Sequence, residues 1–65
     1  MYISDATVRK ILRDAGAARV SAGAVKELRK HMDRSSFGVA EKAVKLAKHA
    51  KRKTVEATDI RLAVE

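Results

Sequence analysis

The groups in this chain best equipped for chemistry are cations. They stand at Arg9, Lys10 and Arg13, at Arg19, and in the run Lys51-Arg52-Lys53 that precedes Thr54. Fifteen Lys and Arg against eight Asp and Glu leave a net charge of +7 on 65 residues. A field of this sign draws polyanions, which points to nucleic acid or an anionic membrane surface. Tyr2 and Phe37 are the only aromatic residues. Single strands are usually held on aromatic stacking platforms, so their scarcity favours a duplex gripped through its phosphates. Catalysis fits poorly, because it needs a nucleophile or base with an orienting partner in a pocket. There is no Cys, and His31 and His49 lie 18 positions apart on one rod. His31 has only Glu27 one turn away, so no metal and no cofactor are expected.

Positioning those cations falls to a plan of short helix, loop, long helix, loop, short helix. The long helix runs from Ser21 to about His49. In it Val25, Leu28, Met32, Val39, Ala43, Leu46, Ala47 and Ala50 recur on one stripe. Ser21 is placed to cap its start. The run Ser35-Ser36-Phe37-Gly38 is its weak point, since Gly costs about 1 kcal/mol in a helix interior. The apolar stripe resumes in phase at Val39, so one continuous helix is expected, with a kink in this run as the variant. Ser4 or Asp5 caps a first helix of about eleven residues, whose inner face is Val8, Ile11, Leu12 and Ala15. Arg9, Lys10 and Arg13 lie off that face, toward solvent or a ligand. Gly16 suits a left-handed helix end. The loop 16–20 presents Arg19, and residues 50–55 form a second, basic loop. A last helix over about 56–65 turns Ala57, Ile60, Ala63 and Val64 inward, with Asp59 near its start favoured by the helix dipole.

This plan asks for a partner. A chain of this size forms one small domain with a marginal core, and without Cys no disulfide or zinc finger reinforces it. The long helix spans roughly 42 Å, and the two short ones together roughly 30 Å. They cannot sheath it, so its middle stays bare in a single chain. A second copy crossing at Met32, Ser35, Ser36, Val39, Ala40 and Ala43 covers the gap, with Ser35, Ser36, Gly38 and Ala40 small enough for two backbones to approach. The other reading of these small residues is a flexible point. No apolar run approaches the roughly 20 residues of a membrane span. Asp5 and Arg9 interrupt any leader pattern. A membrane-surface helix would want the Trp and bulky apolar residues that are missing. Freedom from Cys fits a reducing cytosol.

Five segments in order carry a family resemblance: Asp14-Ala15-Gly16-Ala17, Arg19-Val20-Ser21, Lys45-Leu46-Ala47-Lys48-His49-Ala50, Arg52-Lys53-Thr54-Val55, and Asp59-Ile60 with Leu62-Ala63-Val64. Through them the chain resembles an archaeal histone over essentially its whole length. The resemblance implies an all-α histone fold and a head-to-tail handshake homodimer, with the first loop of one chain beside the second loop of the other. It implies duplex DNA wrapped around the outside, compaction of the nucleoid in the cytoplasm, and assembly into tetramers or longer oligomers. DNA contact falls to Arg19 and Ser21 at the first loop, to Lys53 and Thr54 at the second, and to Arg9, Lys10 and Arg13 on the first helix. Backbone N–H groups at helix starts and fixed cations suit phosphates without reading bases. Arg19 suits a narrowed minor groove.

The same resemblance makes Arg52 and Asp59 a salt bridge that braces the second loop; otherwise they are two exposed charges of little worth. It assigns Leu46, His49, Asp59 and Leu62 to a contact between dimers, where His49 is otherwise a favourable cation near a helix C-terminus. It makes Gly16 a small residue where successive coils stack. The chain departs from the family at His31 and Ser35, where larger apolar residues are usual, and at Phe37 and Gly38, where polar helix formers are usual. The alternative function is a histone-fold protein that pairs with a different histone in a transcription or other DNA-associated complex.

Overall fold

Each helix begins where a side-chain oxygen takes up a free backbone N–H. The computed structural model describes residues 2–65 and folds them into three helices, α1 (Asp5–Asp14), α2 (Ala22–His49) and α3 (Ala57–Val64), with no strand among the described residues. Ser4 Oγ accepts from the Thr7 N–H at 3.2 Å ahead of α1. Ser21 Oγ accepts from the Ala24 N–H at 3.0 Å ahead of α2. At α3 the direction reverses: Asp59 Oδ2 accepts from the N–H of Glu56, the residue before the helix, at 2.8 Å. Caps of this kind satisfy donors that have no partner inside the helix and are worth about 1 kcal/mol each.

Two compact units divide the chain, Met1–Arg34 and Ser35–Glu65. In the first, α1 packs with the opening turns of α2. Val8 and Val25 are its fully covered side chains, at 0% and 2% exposure. Polar contacts fix the rest. Arg29 Nη1 lies 2.6 Å from Asp5 Oδ1, with the Arg29 side chain 18% exposed. Asp33 Oδ1 accepts from the backbone N–H groups of Tyr2 and Ile3 at 3.2 and 3.1 Å, tying the lead segment down. The end of α1 is closed by two hydrogen bonds, from Gly16 N–H to the Arg13 carbonyl (2.9 Å) and from Ala17 N–H to the Leu12 carbonyl (3.0 Å). This Schellman turn needs a left-handed residue, and Gly16 supplies it with φ +112°.

In the second unit, the later turns of α2 pack with α3 through small side chains, and Ala43, Ala47 and Ala63 are buried. The end of α2 repeats the Schellman turn, with Lys51 N–H on the Lys48 carbonyl and Arg52 N–H on the Ala47 carbonyl, both at 2.9 Å. Here the left-handed residue is not glycine but Lys51, at φ +60°. A side chain in that conformation costs about 1–2 kcal/mol.

The helix through Ser35, Ser36, Phe37 and Gly38 is unbroken. The first helix is one residue shorter than expected and the third starts at Ala57. The expected inner faces are only partly covered. Of the α1 face, Val8 is buried and Leu12 half-buried, while Ile11 and Ala15 are exposed. Of the α3 face, Ala63 alone is buried, whereas Ile60 and Val64 are 40% and 66% exposed. Leu46 and Ala50 on the α2 stripe are exposed as well, and so is His31. The reason is volume: one chain of this length has too few side chains to clothe every apolar stripe it carries.

Candidate nucleic-acid interface

Loop 1, between α1 and α2, is set by the two helix ends that flank it. The Schellman turn at Gly16 stops α1, and Ser21 starts α2. Arg19 stands exposed among the residues between. Leu12, Ala17, Val20, Ser21 and Ala24 line an open hollow with Arg19 at its edge. A flexible cation beside the first N–H groups of a helix is suited to a phosphate oxygen.

Loop 2 is built around Arg52. Its Nη1 donates to Asp59 Oδ2 and its Nη2 to Asp59 Oδ1, both at 2.9 Å. The same Nη1 donates to the Thr54 carbonyl at 3.1 Å and lies 3.5 Å from Glu56 Oε1. Bidentate pairing of this kind fixes geometry as well as charge. The Arg52 hydrogen bond holds the Asp59 carboxyl at about 2, below its ordinary 3.8; the Glu56 N–H adds to this, and burial opposes it. The hydrogen bond to Asp59 in turn raises the Arg52 guanidinium above its ordinary value. Arg52 is thus engaged inward, and Lys51, Lys53 and Thr54 remain exposed on the turn it holds.

On α1, Arg13 is exposed and Arg9 half-buried. Lys10 Nζ lies 3.2 Å from Asp14 Oδ2, both side chains well exposed. An exposed pair like this is worth little and opens readily, so Lys10 remains available to an anion.

Asp59 directs its carboxylate toward Arg52 and Glu56, and only 4% of its side chain is exposed. Leu46, His49 and Leu62 are exposed, and they line an open groove together with Lys42, Lys45 and Ala63. Ser35, Ser36, Val39 and Ala40 border another groove, with Ile60 opposite. Ala43 is buried and Met32 half-buried. Among the described residues no three of His, Cys, Asp and Glu gather to hold a metal, and no helix is long and apolar enough to cross a membrane. Three features escaped the sequence reading. The Arg29–Asp5 pair and the Asp33 anchor join positions 24 and more apart and leave no local signal. Lys51 in the left-handed region occupies a place where glycine would have advertised the turn.

Comparison with known proteins adds the family. Residues 1–64 match the model for "Histone-like transcription factor (CBF/NF-Y) and archaeal histone". The chain is 45% identical over 60 residues to a Thermococcus zilligii protein named as one subunit of the archaeal histone HAN1, covering 92% of this chain and 90% of that one. It is 46% identical over 55 residues to the probable archaeal histone 3 of Methanocaldococcus jannaschii, covering 85% of this chain and 82% of that one. With its short, long, short order of helices, the chain is a histone-fold protein and belongs to the family of histone-like transcription factors and archaeal histones.

Proposed function

We propose that this protein binds double-stranded DNA through its backbone, with little regard to sequence, as a head-to-tail handshake homodimer of single-domain chains (residues 1–65). The dimer bends the duplex along its cationic edge and assembles into longer oligomers on the nucleoid. Loop 2 is the observation that carries this reading. There a buried carboxylate neutralises Arg52 and leaves Lys53 and Thr54 exposed on a rigid turn. Arg19 and Ser21 at loop 1, and Arg9, Lys10 and Arg13 on α1, supply the other contacts. The net charge of +7 supports the same conclusion, because counterion release from phosphates drives such binding.

The homodimer is supported by the small covered core. Among the described residues five apolar ones are buried, three of them alanines, while Ile60, Leu62, Phe37 and Val64 stay 40–66% exposed. The crossing is placed on Met32, Ser35, Ser36, Val39, Ala40 and Ala43. Contact between dimers is placed on Leu46, His49 and Leu62, with Asp59 at its margin because it serves Arg52. Gly16 is the small residue at the stacking surface. A second reading, pairing with a different histone, is favoured by the Thermococcus relative, whose name marks it as one part of an assembly.

The test is binding to several duplexes of unrelated sequence at rising salt, with nuclease digestion of the complex. Affinity is expected to fall steeply with salt on every duplex, and Arg19→Ala and Lys53→Ala to weaken all of them alike. Regularly spaced protected lengths are expected from polymerising dimers. A melting temperature that rises with protein concentration is expected of the pure protein. Preference for one sequence surviving these substitutions contradicts backbone binding, and a concentration-independent melt contradicts the homodimer.

A further inference from the structure

Lys51 is held in a conformation that its side chain disfavours. It is the one described non-glycine residue with positive φ, at +60°. It occupies the position that closes the Schellman turn at the end of α2, where glycine is the usual choice. Strain of this kind persists where the surroundings impose it, and it clusters at functional sites. A charge is not needed there for the helix, since Lys48 and His49 already stand in the last turn of α2 to meet its dipole. Nor does Lys51 serve the fold through an ion pair. It is exposed, and among the described residues no carboxylate lies within ion-pair distance of it. Its neighbour Arg52 is occupied by Asp59 and Glu56. Of the three consecutive cations 51–53, the two flanking ones are therefore the free charges, displayed from a turn whose backbone is fixed by the hydrogen bonds of Lys51 and Arg52.

We propose that Lys51 is a further phosphate-binding residue of loop 2, presented to the duplex backbone by its left-handed turn. This rests on the DNA-binding reading above and extends it to a residue outside the Lys53–Thr54 pair. Lysine is kept at this place, against its backbone preference, for a charge that acts on the ligand rather than on the fold. Stability and binding should then respond to its replacement in opposite directions.

The experiment compares the wild-type chain with Lys51→Asn, Lys51→Gly and Lys51→Arg. Asn and Gly tolerate the left-handed region without the charge, and Arg keeps the charge. Each protein is titrated with one duplex DNA at several salt concentrations, and its melting temperature is measured alone. Lys51→Gly and Lys51→Asn are expected to melt at or above the wild-type temperature. Both should flatten the slope of log affinity against log salt by about 0.9 per chain, the share of one phosphate contact. Lys51→Arg is expected to keep the wild-type slope. A wild-type slope in both neutral variants overturns the role of Lys51 and leaves the DNA-binding reading intact. A wild-type protein that does not bind the duplex overturns that reading and this one with it. A lowered melting temperature in Lys51→Gly places the lysine's role in the fold and overturns the proposal.

Discussion

Arg52 and Asp59, seven positions apart, meet through two hydrogen bonds of 2.9 Å each. The pair spans the turn that carries Lys53 and Thr54, and Oδ2 of the same carboxylate also takes the Glu56 N–H at the start of α3. One buried side chain therefore holds a loop and begins a helix. That double duty explains why Asp59 is 3% exposed while no other charged residue among those described is buried. A buried carboxylate is tolerated when each oxygen has a donor, and here both do.

Acid should undo this arrangement in a defined window. The Asp59 carboxyl sits at about 2 in the folded chain against an ordinary 3.8. A folded-state value below the unfolded one means that the pair stabilises the fold fully above the ordinary value. The contribution then fades as pH falls from about 4 toward 2. Asp59→Asn keeps the shape and an acceptor for the Glu56 N–H but removes the charge. It is expected to be less stable than the wild type at neutral pH, with the gap narrowing across that window in urea titrations followed by circular dichroism. A gap that stays constant down to about pH 2 would show that the charge of Asp59 does not matter to folding.

Core substitutions separate the covered surface of one chain from surface that a second copy covers. Val8 is fully buried within its own unit, and Val8→Ala is expected to cost about 1–3 kcal/mol. Ile60 is 40% exposed in the single chain, facing the groove of Ser35, Ser36, Val39 and Ala40. In the proposed homodimer that groove is filled, so Ile60→Ala should cost about 2–5 kcal/mol, as in a closed core. Denaturant unfolding at fixed protein concentration measures both. A change at Ile60 within about 0.5 kcal/mol, the range of ordinary surface positions, would make the groove solvent surface and sink the homodimer crossing.

What could be read in the sequence was local. Ser4, Ser21 and Gly16 announce helix ends by residue type alone, because caps and left-handed turns admit few side chains. The in-phase return of apolar residues at Val39 predicted that α2 continues through Gly38, since one glycine's penalty is small against 28 residues of helix. The apolar stripes, however, tell which faces seek cover and not what covers them. Ile11, Ile60 and Val64 were thus expected on inner faces, yet they lie open in the single chain. The anchors Arg29 to Asp5 and Asp33 to Tyr2 and Ile3 depend on how α1 meets α2, which no spacing encodes. The brace from Arg52 to Asp59 came from the family resemblance, because a loop of unknown path separates the two. Lys51 was hidden for the opposite reason: the residue that signals its conformation is missing.

Two glycines should respond to alanine with opposite signs. Gly16 sits at φ +112°, outside the range comfortable for a side chain, even though an added Cβ would meet nothing within 4 Å. Strain alone then decides, and Gly16→Ala is expected to destabilise by about 1–3 kcal/mol. Gly38 lies inside α2 with ordinary helical geometry, and its added Cβ also meets nothing within 4 Å. There the loss of unfolded-state freedom dominates, and Gly38→Ala is expected to stabilise by about 1 kcal/mol. Thermal and urea unfolding of the two variants, each at the same protein concentration, measures both shifts. If Gly38→Ala is destabilising, a neighbour absent from the single chain occupies the space beside Gly38, and the crossing of the two long helices must extend to that side of α2.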